Sequence, residues 1–447
     1  MGGVYPIISF ASSLTTLYDI LFNMNFNLHK LASGLRVVTV PMPSLESVTL
    51  TIWVRTGSRN EDKRIGGISH FMEHMVFKGS SKRPTAKEIS QAVDTIGGEF
   101  NAATDKDWTN FYIKAAKNNL ETAFDVLSDM VLNPLIKPEE IEREKGTIIQ
   151  EIRMYEDTPI MHIGDIFEEV AFGGSPLGWE IAGTEKSVSS IKRDDFLSYR
   201  KMHYYPENML VTVAGGIDEA EILKLVEEYF SSLVSNNSAF NVKEFENKQT
   251  KPQLKIQTKK SEQAHLILGF MAEGREYGKR FAQSLLSVIL GGGMSSRLFI
   301  EIRERRGLAY TVRTNFTRYQ DAGYMGTYAG VNVQKTEEAV KVILDQCYGL
   351  ASGKYPVTPK ELAKAKGFLK GNLALALEDT HDVSGFFGEQ QLFLKKVLTP
   401  EEIYKKVDEV TIEDINFEAK KLFVPSRLNL AIIGPFKEGE KFSKLLV

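Results

Sequence analysis

His70-Phe71-Met72-Glu73-His74 is the stretch from which the rest of this chain is best read. Taken as helix, it puts His70 and His74 on one face, one turn apart. Two imidazole nitrogens so placed can share a single Zn²⁺, each at about 2.0–2.1 Å. Glu73 lies on the same side and is placed to take a proton from water held by that metal. The flanking Ile68, Phe71, Met72, Met75, Val76 and Phe77 are apolar, so this helix is mostly buried. Buried polar side chains need partners, which argues against two histidines on a solvated face.

A zinc site needs a third protein ligand, on another helix. The run Pro138 to Met154 reads as that helix, with Pro138 in its first turn and acidic residues crowding its N-terminus. Glu144 and Glu151 are two turns apart on one face, bordered by Ile141, Ile148 and Ile152. An ordinary charged helix is the commoner meaning of such a run.

The pair of motifs resembles the pitrilysin family of zinc metallopeptidases, the inverzincins, which includes insulin-degrading enzyme and the mitochondrial processing peptidase. The resemblance implies that His70, His74 and Glu151 bind one Zn²⁺ per chain and that Glu73 is the general base. It implies that Glu144 orients a ligand histidine. It also implies an α+β fold of two duplicated α/β-sandwich halves, each a mainly antiparallel sheet packed with helices, closing around a chamber.

The chain has 447 residues, 43% apolar and 25% charged, as ordinary globular domains do. A net charge of −3 gives no electrostatic case for nucleic acid. The single cysteine, Cys347, excludes an intrachain disulfide and fits a reducing compartment. No apolar run reaches the roughly 18–20 residues that span a membrane. Residues 1–23 carry no Lys or Arg, so neither a secretory signal nor a mitochondrial presequence is indicated. They are expected to lie outside the fold.

Working outward, Ser47–Arg55 alternates with period two and reads as a strand, and Asn119–Leu132 as an amphipathic helix. Residues 97–105 and 108–116 read as two strands joined by a turn. Two echoes suggest an internal repeat of about 200 residues. Tyr205–Gly215 resembles Phe423–Gly434, and Ser47–Gly57 resembles Gln263–Met271. The expected domains are 24–235, carrying the metal, a linker over 236–254, and 255–447, whose corresponding helix Phe281–Leu290 has no histidine.

In the second half, Gly291-Gly292-Gly293 lacks the Gly-Lys-Ser/Thr ending of a nucleotide loop. The resemblance makes it a mobile element near substrate. It likewise implies that Arg303 and Tyr310 bind a peptide carbonyl and the developing oxyanion. His29, His162, His203, His265 and His381 show no partner spacing and are read as structural. The expected activity is zinc-dependent endoproteolysis of peptides or unfolded segments, with substrate added as a strand near Asn101 and Ala102. The branch implies a homodimer, or a heterodimer with a related chain, in the bacterial cytoplasm or the mitochondrial matrix. The rival readings are an inactive scaffold or partner subunit and a small-molecule metallohydrolase.

Overall fold

The computed structural model describes residues 24–236, 242–437 and 439–446; the expectation about residues 1–23, and the middle of the expected linker, fall outside them. The first half runs β1 (Asn27–Lys30), β2 (Arg36–Pro41), β3 (Ser47–Val54), α1 (Ile68–Val76), α2 (Ala86–Thr95), β4 (Glu99–Thr104), β5 (Thr109–Ala116), α3 (Leu120–Leu132), α4 (Pro138–Asp157), α5 (Pro159–Ala171), α6 (Glu185–Ser190), α7 (Arg193–His203), β6 (Met209–Gly215) and α8 (Glu219–Phe230). The second runs β7 (Gln253–Thr258), β8 (Gln263–Glu273), α9 (Arg280–Gly291), β9 (Ala309–Arg318), β10 (Ala322–Asn332), α10 (Thr336–Ser352), α11 (Pro359–Ala376), α12 (Thr380–Phe393), α13 (Pro400–Glu409), α14 (Ile412–Leu422), β11 (Leu428–Gly434) and α15 (Glu440–Ser443).

The first sheet has the order β1-β2-β6-β3-β5-β4 and the second β7-β11-β8-β10-β9. Without β1 the two orders are the same, with β2 matched to β7, β3 to β8, β4 to β9, β5 to β10 and β6 to β11. In each sheet one pair is parallel, β2 with β6 and β7 with β11, and the rest are antiparallel. Both echoes seen in the sequence therefore pair corresponding strands of one repeated unit.

The period-two pattern of β3 suggests one buried face, but all its residues beyond Ser47 are buried. The reason is an exchange of helices. Helix α12 of the second half lies on β3 and β6 of the first, and α5 of the first half lies on β8 and β11 of the second. The Thr face of the first sheet meets α12 through hydroxyl pairs: Thr49 with Thr380 at 2.8 Å, and Thr51 with Ser384 at 2.8 Å. Trp53, Leu210, Val383 and Phe387 pack together there, while Phe167, Phe172, Tyr324 and Ile433 pack under α5. Each half also has its own larger core.

Ion pairs cross between the halves beside these contacts. Buried Arg59 reaches Asp107 at 2.8 Å and Asp321 at 2.9 Å. Arg275 pairs with Asp107 and, at 3.0 Å, with Glu389. No helix among the described residues is long and apolar enough to cross a membrane.

Candidate metal centre

Helix α1 starts abruptly. Gly67 sits at its N-terminus with φ 93°, and a Cβ there would lie 2.4 Å from the Ala182 carbonyl oxygen. Glu61, upstream, takes the free N–H groups of the first turn, accepting from Gly67 at 2.7 Å and from Ser69 at 2.8 Å. Ile68, Phe71, Met72, Met75 and Val76 are fully buried, which fixes the rotation of the helix. The remaining face carries His70, Glu73 and His74, each half-buried.

Helix α4 crosses that face and brings two carboxylates. Glu144, 3% exposed, accepts from His74 Nδ1 at 2.8 Å and pairs with Lys78 at 2.7 Å. Burial works against its charge, but those two hydrogen bonds hold the Glu144 carboxyl below the usual range. A proton on Nδ1 leaves the Nε2 lone pair of His74 free to bind a metal. Glu151 reaches His70 Nε2 at 3.7 Å and His74 Nε2 at 3.6 Å.

The donor atoms of His70, His74 and Glu151 all lie within 4.8 Å of one another. The two Nε2 atoms are 3.2 Å apart. Ligands at about 2.0–2.1 Å on a tetrahedral zinc are separated by about 3.3 Å, so the set fits that ion. Burial, with His74 alongside, pushes the His70 imidazole down to about 3, and a neutral imidazole is the form that ligates. Burial likewise raises the Glu151 carboxyl.

Glu73 is raised by burial, against a hydrogen bond that Thr104 Oγ1 donates to its Oε2 at 2.5 Å. Thr104 ends β4, an edge strand bonded, among the described residues, only to β5. Along that edge Asn101 is exposed and Ala102 half-buried. The Ala102 N–H is bonded by the Asn101 side chain at 2.9 Å, so an incoming strand would have to displace it.

These groups open into a cavity of about 360 Å³, lined by His70, Glu73, Thr104, Glu151, Tyr155, His162, Asp165 and Glu180. Burial and the nearby Asp165 push the Glu180 carboxyl up to about 7. His162, read from sequence as structural, is part of this wall, 3.6 Å from Asp165. Its signal was Asp165 three residues on; Lys78, four residues after His74, was also legible. Thr104 was not, because nothing in the chain announces a strand end folded against Glu73.

Arg303 and Tyr310 come together, guanidinium over ring at 4.8 Å, but they do not line this cavity. Tyr310 is 75% exposed on β9, the edge strand of the second sheet. The other histidines have local partners: His29 with Glu219, His265 with Tyr328 and His381 against Tyr112.

Known proteins resemble this chain over most of its length. Residues 36–185 match the family described as Insulinase (Peptidase family M16), and residues 190–369 match the Peptidase M16 inactive domain. An uncharacterized zinc protease of Mycobacterium leprae is 37% identical over 408 residues, covering 91% of each chain. One from Bacillus subtilis is 36% identical over 405 residues, 90% of this chain and 97% of its own. A protease of Helicobacter pylori shares the fold with a TM-score of 0.86 at 24% identity, covering 92% of this chain and 100% of its own. A Pseudomonas fluorescens structure described as a peptidase M16 inactive domain has a TM-score of 0.85 at 21% identity, covering 92% and 99%.

Proposed function

The chain belongs to the insulinase family, peptidase family M16, and from that premise we propose that it is a zinc-dependent endopeptidase acting on peptides or unfolded segments. The observation that carries this reading is the convergence of His70, His74 and Glu151 at zinc-ligand spacing, with the Glu73 carboxylate in the same cavity. Zinc, when bound, supplies Lewis acidity toward water and a scissile carbonyl.

The protein's own groups do the rest. His74 is oriented by Glu144, and Lys78 keeps that carboxylate ionised. Glu73, held on one oxygen by Thr104, receives a proton from the attacking water on the other and passes it to the departing amine. The β4 edge offers backbone groups to an extended peptide beside Asn101 and Ala102, which tolerates varied side chains. Arg303 and Tyr310, paired outside this cavity, are the groups proposed to bind a peptide carbonyl and the developing oxyanion. One zinc per chain, a dimer with itself or a related chain, and the bacterial cytoplasm complete the proposal; its two curated relatives above are bacterial, and its one thiol is buried.

The test is Glu73→Gln, which keeps shape and removes the proton acceptor. Zinc content and peptide binding should persist while kcat on an unfolded peptide falls about 10²–10⁴-fold. Near-normal kcat with full zinc would end the mechanism. A wild-type protein that cleaves simple esters but no peptide would be a small-molecule hydrolase, and one that cleaves neither would be a scaffold.

A further inference from the structure

The second half contains a counterpart of the metal cavity, and it has been rebuilt with the opposite charge. Strand β9 stands where β4 stands, and α9 follows β8 as α1 follows β3. Thr104, the last residue of β4, donates to Glu73 in α1. Arg318, the last residue of β9, donates to Gln283 in α9 at 3.2 Å and to the Arg280 carbonyl at 3.2 Å. The exchanged helix α5 walls the first cavity with His162 and Asp165, and the exchanged helix α12 walls the second with Phe386 and Glu389. That second cavity, also about 360 Å³, is lined by Arg275, Arg280, Arg318 and Phe316 as well.

Its charges do not balance. Arg275 is satisfied by Asp107 and Glu389. Arg318 has no ion pair among the described residues, and its Nε is buried without a partner. Burial, and Arg280 beside it, push the Arg318 guanidinium down to about 10. The nearby carboxylates are committed elsewhere: Glu273 to Lys421 at 2.7 Å and Arg427 at 3.2 Å, Glu418 to Tyr277 at 2.8 Å and Gln283 at 2.9 Å, and the exposed Glu276, whose charge reaches Arg280 without a direct ion pair, to the Lys395 N–H at 2.7 Å and its ammonium at 3.4 Å. The half-buried Arg280 guanidinium has no hydrogen bond or ion pair among the described residues either, and lies 4.8 Å from the Phe281 ring. Arg318 lies 4.2 Å from the Phe316 ring. Stacking on a ring leaves the in-plane N–H groups unblocked, and on Arg318 Nη2 is engaged with Gln283 and the Arg280 carbonyl while the other N–H groups remain for a planar or tetrahedral oxyanion. Two such cations close together and partly desolvated are destabilising until a counter-charge arrives.

We propose that this cavity binds an oxyanion, a carboxylate or phosphate group, between Arg280 and Arg318 beside Phe316 and Phe386. The group comes from a free phosphate-type anion or from the carboxylate of a bound peptide; only the second source rests on the peptidase reading. Calorimetric titration of the zinc-loaded chain with inorganic phosphate, at constant ionic strength, reads binding without turnover. The wild type should bind saturably. Arg280→Gln and Arg318→Gln should each weaken binding at least about tenfold, the loss expected for one charge-assisted hydrogen-bonding group. Arg313→Gln, an exposed arginine on the same strand, should change nothing. If Arg318→Gln does not fold, Arg280→Gln decides, since that side chain is only half-buried. No saturable binding by the wild type, or unchanged affinity in Arg280→Gln, overturns the proposal. Because phosphate can also meet zinc, the Arg280→Gln comparison, with its metal site intact, isolates this cavity. Paired peptides with a free or amidated C-terminus then identify the source. A lower KM for the free acid that disappears in Arg280→Gln assigns the peptide carboxylate. Equal KM values with phosphate binding intact assign a free anion.

Discussion

At the residue scale, the two carboxylates of α4 do different work although both are glutamates two turns apart. Glu144 is buried and bonded to His74 Nδ1 and Lys78, whereas Glu151 faces the two Nε2 atoms. Glu144→Gln should therefore weaken zinc affinity or activity by about 10–100-fold, less than Glu151→Gln; metal titration of both variants checks the order. His203 provides a pH test away from the metal. It is 1% exposed, and burial pushes its imidazole down to about 4 from 6.5. The unfolded chain takes up this proton first, so the contribution is complete above pH 6.5 and is lost as pH falls toward 4. The loss is on the order of 3 kcal/mol. Denaturant titrations of His203→Phe should show a correspondingly shallower fall over that window. The ligand pattern was legible because a helix repeats its face every three or four residues. Thr104 was not, because it arrives from another element.

At the scale of elements, α1 depends on how it begins. Its first turn is capped by Glu61 and entered through Gly67 in the left-handed region, packed against the Ala182 carbonyl. Gly67→Ala meets both the backbone penalty of a positive φ and that carbonyl, and should cost at least about 1–3 kcal/mol. Thermal melting, with zinc content measured on the same sample, should show the metal lost along with stability. Strand boundaries near Ser47–Val54 and Met209–Gly215 could be read from apolar runs and turns. What covers them could not. The Thr face of β3 looks solvated in sequence and is instead covered by α12, whose glycines and scattered polar residues give no strong helical stripe.

At the scale of the whole molecule, the halves are held by what they trade. Phe167 of α5 is fully buried against the second sheet, and Phe387 of α12 against the first. Phe167→Ala should cost about 3–5 kcal/mol, and unfolding followed by calorimetry should remain one transition, because neither sheet is covered without the other half. Two transitions would show that the halves fold independently. The repeat was legible from the echoed segments, but the crossing of α5 and α12 was not. Pattern within a segment says that a face is buried and is silent about which half buries it.

That trade of helices has an evolutionary reading. One repeat alone would present a bare sheet face and a helix with nowhere to lie, and a second copy would supply both. Such a unit is a domain-swapped pair waiting to form, and this chain has the arrangement of that pair joined end to end, with the His70, His74 and Glu151 cluster in the first copy. A chain severed between Asn236 and Val242 should accordingly stay associated through size-exclusion chromatography, and the two fragments made separately should recover zinc binding only when mixed.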